Sequence, residues 1–380
     1  MAERRRQRFS RVLEAEPVDR KALAELTWSG VPAGLSRSEV WQLLLGYRPL
    51  AHERCRESLH KKRQEYFALR RSFYDDSPAV AAAAAASPGS PVSESSSSLA
   101  TSNGAGNDAD AKLLAQLRKD LRRTTLNCSE GSPAKSLVKD PRLQTLMERV
   151  LFVWAVRQPA IGYVQGFDDL LLVLVVVTLT DRTGCTLDRL GIEPLESLSE
   201  DDLREMEADC YWCAVKILSE IFDHYTQDFP GLQRMGQQLK EVLRRIDGPL
   251  LNHLEKHGVD VFQIAFSWMA TLMVRDLPIA CCIRLWDTLI AESAVASGQH
   301  RLGNSESRSA GFEVFLVYFC ACFTAYFSTR IQEMDLDATI RFMSKVPTDN
   351  LSEADLEVLL SEAFVLKSLF QHAPQHLNPH

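Results

Sequence analysis

Residues 170–179 read Leu-Leu-Leu-Val-Leu-Val-Val-Val-Thr-Leu, and a run of that kind dictates much of what the chain can become. It is about half as long as the roughly 20 residues that a membrane-spanning helix requires. It must therefore be enclosed by other parts of the same chain, since water on any face would forfeit the burial that drives folding. The stretch before it shows what does the enclosing. Leu143, Leu146, Met147, Val150, Leu151 and Trp154 recur at spacings of three and four, the apolar stripe of an amphipathic helix. Pro159 closes that stripe.

The same period returns along the chain. After the run, segments 211–225, 232–246, 261–274, 279–290, 312–327 and 351–370 all carry it, and Ser352 with Asp355 gives the last a capping-box start. Before it, residues 1–27 form a basic, amphipathic lead-in with Phe9, Val12 and Leu13, then Leu23 and Leu26, at helical spacing. Trp28-Ser29-Gly30-Val31-Pro32 breaks the pattern, which resumes over 39–45 and again over 52–74 as a charged surface helix with one apolar face. No alternating strand pattern bounded by hairpin turns occurs. The expected fold class is all-α, and 380 residues provide ample material for a core.

Two segments fall outside this pattern. Residues 77–110 are alanine, serine, glycine and proline with almost no large apolar side chain, so they lack the burial to offset the entropy of ordering. They are expected to form a disordered low-complexity insertion, polyalanine included, and their serines are open to phosphorylation. Residues 292–310 are expected to be a polar loop.

Composition removes several function classes. A net charge of −7 argues against a nucleic-acid partner, and the clustered basic residues, Arg4, Arg5, Arg6 and Arg8, sit in the lead-in. No apolar segment of signal-peptide type follows those charges. Nine cysteines are scattered through apolar segments; Cys210 and Cys213 have C-x-x-C spacing but flank Tyr211-Trp212 with no second ligand pair nearby. Reduced core thiols are expected, with neither a zinc site nor a disulfide framework. No G-x-x-x-x-G-K-[ST] loop is present, so no GTP site of the chain's own is expected.

Three polar clusters interrupt the apolar pattern. Gly162-Tyr163-Val164-Gln165-Gly166-Phe167-Asp168-Asp169 sets an amide between glycines and two carboxylates at the mouth of the buried run. One reading is plain capping, because acidic residues favour the first turn of a helix. The other is a loop that presents an amide to a partner, since flanking glycines let the backbone turn sharply or approach a second molecule. Residues 117–123, Leu-Arg-Lys-Asp-Leu-Arg-Arg, place Asp120 one helical turn before Arg123. Further upstream, Arg37 precedes Trp41 by four positions.

Taken in order, Arg37-x-x-x-Trp41, Leu117-x-x-Asp120-x-x-Arg123 and Tyr163-x-Gln165-Gly166 resemble the signature of the TBC domain. That domain is the helical GTPase-activating domain for Rab GTPases, with motifs R-x-x-x-W, I-x-x-D-x-x-R and Y-x-Q-G. Trp28-Ser29-Gly30-Val31-Pro32, Leu45-Gly46-Tyr47, Arg245-Ile246-Asp247, His257-Gly258-Val259, Trp268-Met269, Arg284-Leu285-Trp286-Asp287-Thr288 and Ala373-Pro374 extend the likeness to the TBC1 domain family member 22 branch, which includes a yeast Golgi Rab-GAP. It covers about residues 28–377.

The resemblance implies a TBC domain over 28–380, V-shaped or saddle-like, with an N-lobe of about 28–230 and a C-lobe of about 231–380. It implies a GTP-bound Rab partner, and Arg123 and Gln165 as an arginine finger and a glutamine finger delivered in trans. Around these, Asp120 braces the arginine, Arg37 and Trp41 tether the finger segment, Tyr163 and Gly166 shape the loop, and Asp169 supports it. No metal or cofactor of the chain's own is implied, because GTP and magnesium travel with the GTPase. It implies an activator rather than a catalyst with its own substrate pocket, located in the cytoplasm and recruited peripherally to Golgi or other endomembranes.

Two departures from the family pattern bear on efficiency. Asp168-Asp169 stands where asparagine-aspartate is usual, which is expected to loosen the loop or repel phosphate. The proline that usually follows the Arg-Thr pair is absent, which is expected to leave the finger segment mobile until a GTPase docks. Arg122 becomes the finger if the register slips by one. Two further readings stay open: a Rab-binding adaptor of TBC fold that does not accelerate hydrolysis, and a helical scaffold unrelated to GTPases.

Overall fold

The computed structural model describes residues 2–85, 104–300 and 311–371. Every regular element among them is helical. Helices α1 (Ala2–Leu13), α2 (Arg20–Thr27), α3 (Arg37–Leu44), α4 (His52–Arg70), α5 (Pro78–Ala85), α6 (Gly104–Arg123), α7 (Ala134–Leu137), α8 (Pro141–Arg157) and α9 (Phe167–Thr183) lead into ten-odd further helices and helical turns. None of the helices is long and apolar enough to cross a membrane.

The chain divides into two compact units. One comprises Met1–His52, Leu126–Glu130 and Lys216–His380, and the other Glu53–Thr125 and Gly131–Val215. This division differs from lobes that meet near residue 230, because the N-terminal helices pack with the C-terminal half of the chain.

Helix α9 is the core of the second unit. All residues from Phe167 to Leu179 are buried, as the apolar run requires. Helix α8 packs against it, started by Asp140, which accepts from the Arg142 N–H, and by Pro141 in the first turn. Helix α6 packs on α8 through Leu114, Leu117 and Leu121, all buried. Buried carboxylates link the other helices. Glu148 of α8 accepts from Tyr74 and from the fork of Arg118, and Glu207 accepts from Tyr66 of α4 at 2.6 Å.

Two expectations, one of disorder and one of a loop, are corrected. Part of the 77–110 stretch is helical: α5 takes the polyalanine through Ala85, and α6 already begins at Gly104. Alanine is the strongest helix former, and its small side chain lets α5 lie against α6 with Ala79 buried. The remainder of that insertion, 86–103, lies outside the described residues. The loop expected over 292–310 begins later too, because the Ile279–His300 helix runs through it. Ser293 and Ala294 are buried there, and the Ser293 Cα would lie 2.5 Å from any Cβ placed on Gly311. Small residues at this position mark a close helix–helix approach and not a loop. Residues 301–310 lie outside the described residues.

In the first unit, the Gly311–Tyr326 helix is buried around nearly its whole circumference and packs on both the Ile279–His300 helix and the Glu353–Phe370 helix. The last of these starts with the expected Ser352–Asp355 capping box. Asp287 sits fully buried in the middle of the Ile279–His300 helix.

Candidate functional site

The two residues implied as fingers lie in the same compact unit, on segments that one carboxylate joins. Helix α6 ends at Arg123. With Leu117 and Leu121 turned into the core, the opposite side of its last turn leaves Arg122 and Arg123 exposed. The guanidinium of Arg123 pairs with Asp120 Oδ1 at 2.5 Å, with the arginine side chain 51% exposed and the aspartate 2%. The ion pair falls on Arg123, as the motif register requires.

The glutamine loop reaches α9 through two glycines in the left-handed region, Gly162 (φ 66°) and Gly166 (φ 113°), a conformation that L side chains rarely adopt. Between them Gln165 is exposed while its neighbour Gly166 is buried. The loop is held by Asp168. Its Oδ1 accepts from the Gly166 N–H at 3.0 Å and from the Tyr163 hydroxyl at 3.1 Å, and its Oδ2 accepts from the Thr124 hydroxyl at 2.5 Å. Thr124 adjoins Arg123 and Gly166 adjoins Gln165, so this buried side chain ties the two segments together.

That assignment revises the expectation for Asp168. With both oxygens accepting bonds from its own chain, it braces the loop. Thr124 was not singled out in the sequence, although a hydroxyl directly after the arginine was a usable signal. Asp169 is buried at the next position. Tyr163 packs edge-on to Phe167, and its hydroxyl is held well above its ordinary pKa, first by burial and then by the charges of Asp168 and Asp120. It serves as a neutral donor.

Arg37 and Trp41 belong to the first unit, and their tether is to Asp287. The carboxylate accepts from Trp41 Nε1 at 2.7 Å, from Arg37 Nε at 3.1 Å and from the Val31 N–H at 2.8 Å. Burial raises the pKa of Asp287, with Arg37 opposing it. An aspartate inside an apolar helix needs such partners, and its position between Trp286 and Thr288 was the signal for them.

A third carboxylate cluster was not anticipated. Asp223, His224 and Glu313 lie within common ligand reach, but the Arg234 guanidinium bonds both carboxylates, at 2.6 and 3.2 Å. The cationic position is filled by the protein itself.

Comparison with known proteins places this geometry in context. Residues 91–332 match the Rab-GTPase-TBC domain family. The chain is 35% identical over 370 residues to GTPase-activating protein gyp1 of Schizosaccharomyces pombe, covering 97% of this chain and 62% of that one. It is 32% identical over 373 residues to human TBC1 domain family member 22B, covering 98% and 63%. It thus spans less than two thirds of these relatives' own length. Its fold matches the crystal structure of the Ypt/Rab-GAP domain of Gyp1p with a TM-score of 0.77 at 28% identity, covering 97% of this chain and 99% of that one. One expectation is overturned by these names: the chain is not to be set apart from catalysis. Its relatives are called GTPase-activating proteins, and speeding GTP hydrolysis is catalysis whether the groups act in cis or in trans. The chain belongs to the Rab-GTPase-TBC domain family.

Proposed function

We propose that this chain accelerates GTP hydrolysis by a GTP-bound Rab-family GTPase, with Arg123 and Gln165 inserted in trans. The observation that carries this reading is the Asp168 carboxylate, which binds Thr124 beside one finger and Gly166 beside the other. A helical scaffold with incidental polar groups has no need of such a tie.

The chemistry follows from the two side chains. Charge builds on the phosphoryl oxygens as the bond to the leaving group breaks, and a forked guanidinium neutralises it through paired N–H donors. An arginine supplied in this way gains about 10³–10⁵ in rate. The amide of Gln165 accepts from the attacking water and donates to a phosphoryl oxygen, which holds both for in-line attack. Asp120 pre-orients Arg123 until the stronger phosphoryl charge draws it away. In this reading GTP and magnesium arrive with the GTPase.

The reading also includes peripheral recruitment to an anionic endomembrane such as the Golgi surface. Helix α1 buries Phe9 and turns Arg4, Arg8 and Arg11 outward, within a single arc at their spacing of four and three. Such a basic face favours anionic lipid.

The test is complex formation with GDP-loaded Rab proteins in the presence of aluminium fluoride, which imitates the transferring phosphoryl group. An activator binds that transition-state mimic more tightly than GDP or GTP forms. A Rab-binding adaptor holds the GTP form equally well with or without fluoride, and that result would refute the reading.

A further inference from the structure

Helix α6 presents Arg123 from its last turn, where backbone carbonyls have no helical partners and fraying is normal. Here the carbonyls of Asp120, Leu121 and Arg122 are occupied. The Asp120 carbonyl accepts from the Thr124 N–H, and the Leu121 carbonyl takes Gln144 Nε2 at 3.4 Å. Lys139 Nζ then donates to the Arg122 carbonyl at 2.7 Å and to the Thr124 carbonyl at 3.0 Å. The ammonium therefore grips the backbone on both sides of Arg123.

The base of that lysine is itself fixed. Leu137 and Val138 are buried beside it, and Asp140, directly after it, caps α8. A cation at a helix C-terminus is also favoured by the helix dipole.

We infer that Lys139 is a positioning residue for Arg123, setting the direction from which the guanidinium leaves the helix. This rests on the reading of Arg123 as the arginine finger. Lys139 acts through the backbone that carries Arg123 and not on the reacting atoms. Being exposed, it adds little to stability, since water can replace its bonds to the carbonyls. Its removal is therefore felt in geometry. Misplacement of a catalytic group by about 1 Å costs up to about 100-fold in rate, and loosening of one turn is expected to cost about tenfold.

The experiment uses a Rab that the intact chain accelerates, in single-turnover hydrolysis against increasing concentrations of the chain. Lys139→Met keeps the side-chain stem and removes the donor. The expected result is a fall of about tenfold in the saturating rate, with half-saturation and melting temperature unchanged. Lys139→Arg, which restores a cationic donor, should recover most of the rate. In an Arg123→Ala background, where Gln165 leaves residual acceleration, Lys139→Met should lower the rate no further. An unaltered rate in Lys139→Met, an equal loss on top of Arg123→Ala, or a loss that tracks half-saturation or melting temperature would each overturn the inference. Failure of the intact chain to accelerate any Rab would instead refute the proposed function.

Discussion

Thr124 and Asp168 are 44 residues apart in sequence and share a 2.5 Å hydrogen bond, hydroxyl to carboxylate, inside the protein. The same hydroxyl lies 3.0 Å from the Asp120 carbonyl, but it has one proton and the charged acceptor is the stronger. Thr124→Val keeps the shape and leaves Asp168 Oδ2 buried without this donor. A loss of about 1–3 kcal/mol in urea unfolding is expected, with Thr124→Ser close to the parent. Asp168→Asn should cost less than Thr124→Val. Its oxygen keeps the Gly166 and Tyr163 bonds, and its amide donates to Thr124, which then turns to the Asp120 carbonyl. Equal stability of Thr124→Val and the parent would mean that the tie is not made.

The second carboxylate tie is more costly to break. Arg37 and fully buried Asp287 pair at 3.1 Å, with the arginine side chain 28% exposed. Arg37→Ala leaves a buried charge with only Trp41 and the Val31 N–H as donors, a loss of about 3 kcal/mol. Because burial already raises the Asp287 pKa against the pull of Arg37, removing that pull raises it further. The deficit should therefore narrow as pH falls and Asp287 takes a proton. Thermal unfolding at several pH values would show whether it does.

Asp276 gives a pH dependence of definite sign. Burial pushes its carboxyl up to about 6, and its Oδ2 has no hydrogen-bond partner. The folded state thus binds this proton more tightly than the unfolded chain, so its contribution to stability is fullest below about pH 4. It falls between about 4 and 6, and is constant above that. Asp276→Asn removes the fall and should be the more stable protein at pH 7, by about 1–3 kcal/mol. An unchanged profile of unfolding free energy against pH would rule this out.

The outward arc of α1 predicts a lipid preference. Vesicles containing anionic phospholipid should bind the chain more strongly than neutral ones, in a salt-sensitive manner. Replacing Arg4, Arg8 and Arg11 together by alanine should reduce that binding on the order of 100-fold, at about 1 kcal/mol per arginine. Co-sedimentation measures it, and equal binding by the triple variant would exclude the arc as the contact.

What could be read from sequence divides along physical lines. The apolar run at 170–179 and the 143–154 stripe announced α9 and α8, because periodic burial is written in residue type. The ion pair of Asp120 with Arg123 was legible for a similar reason, as one helical turn fixes it locally. Asp168 was misjudged because its three donors come from residues 124, 163 and 166, and no local pattern shows that they converge. Asp287 and its partners at 31, 37 and 41 were hidden in the same way. The alanine-rich stretch misled for a different reason. Lack of large side chains argues against a core of its own, yet small side chains are what let α5 lie close along α6.

The most direct measurement is single-turnover GTP hydrolysis by a panel of purified Rab proteins, with the intact chain and with Arg123→Ala, Arg122→Ala and Gln165→Ala. The account predicts acceleration of at least one Rab, loss of about 10³-fold or more with Arg123→Ala, a large loss with Gln165→Ala and little change with Arg122→Ala. Full activity in Arg123→Ala, or loss confined to Arg122→Ala, would contradict it.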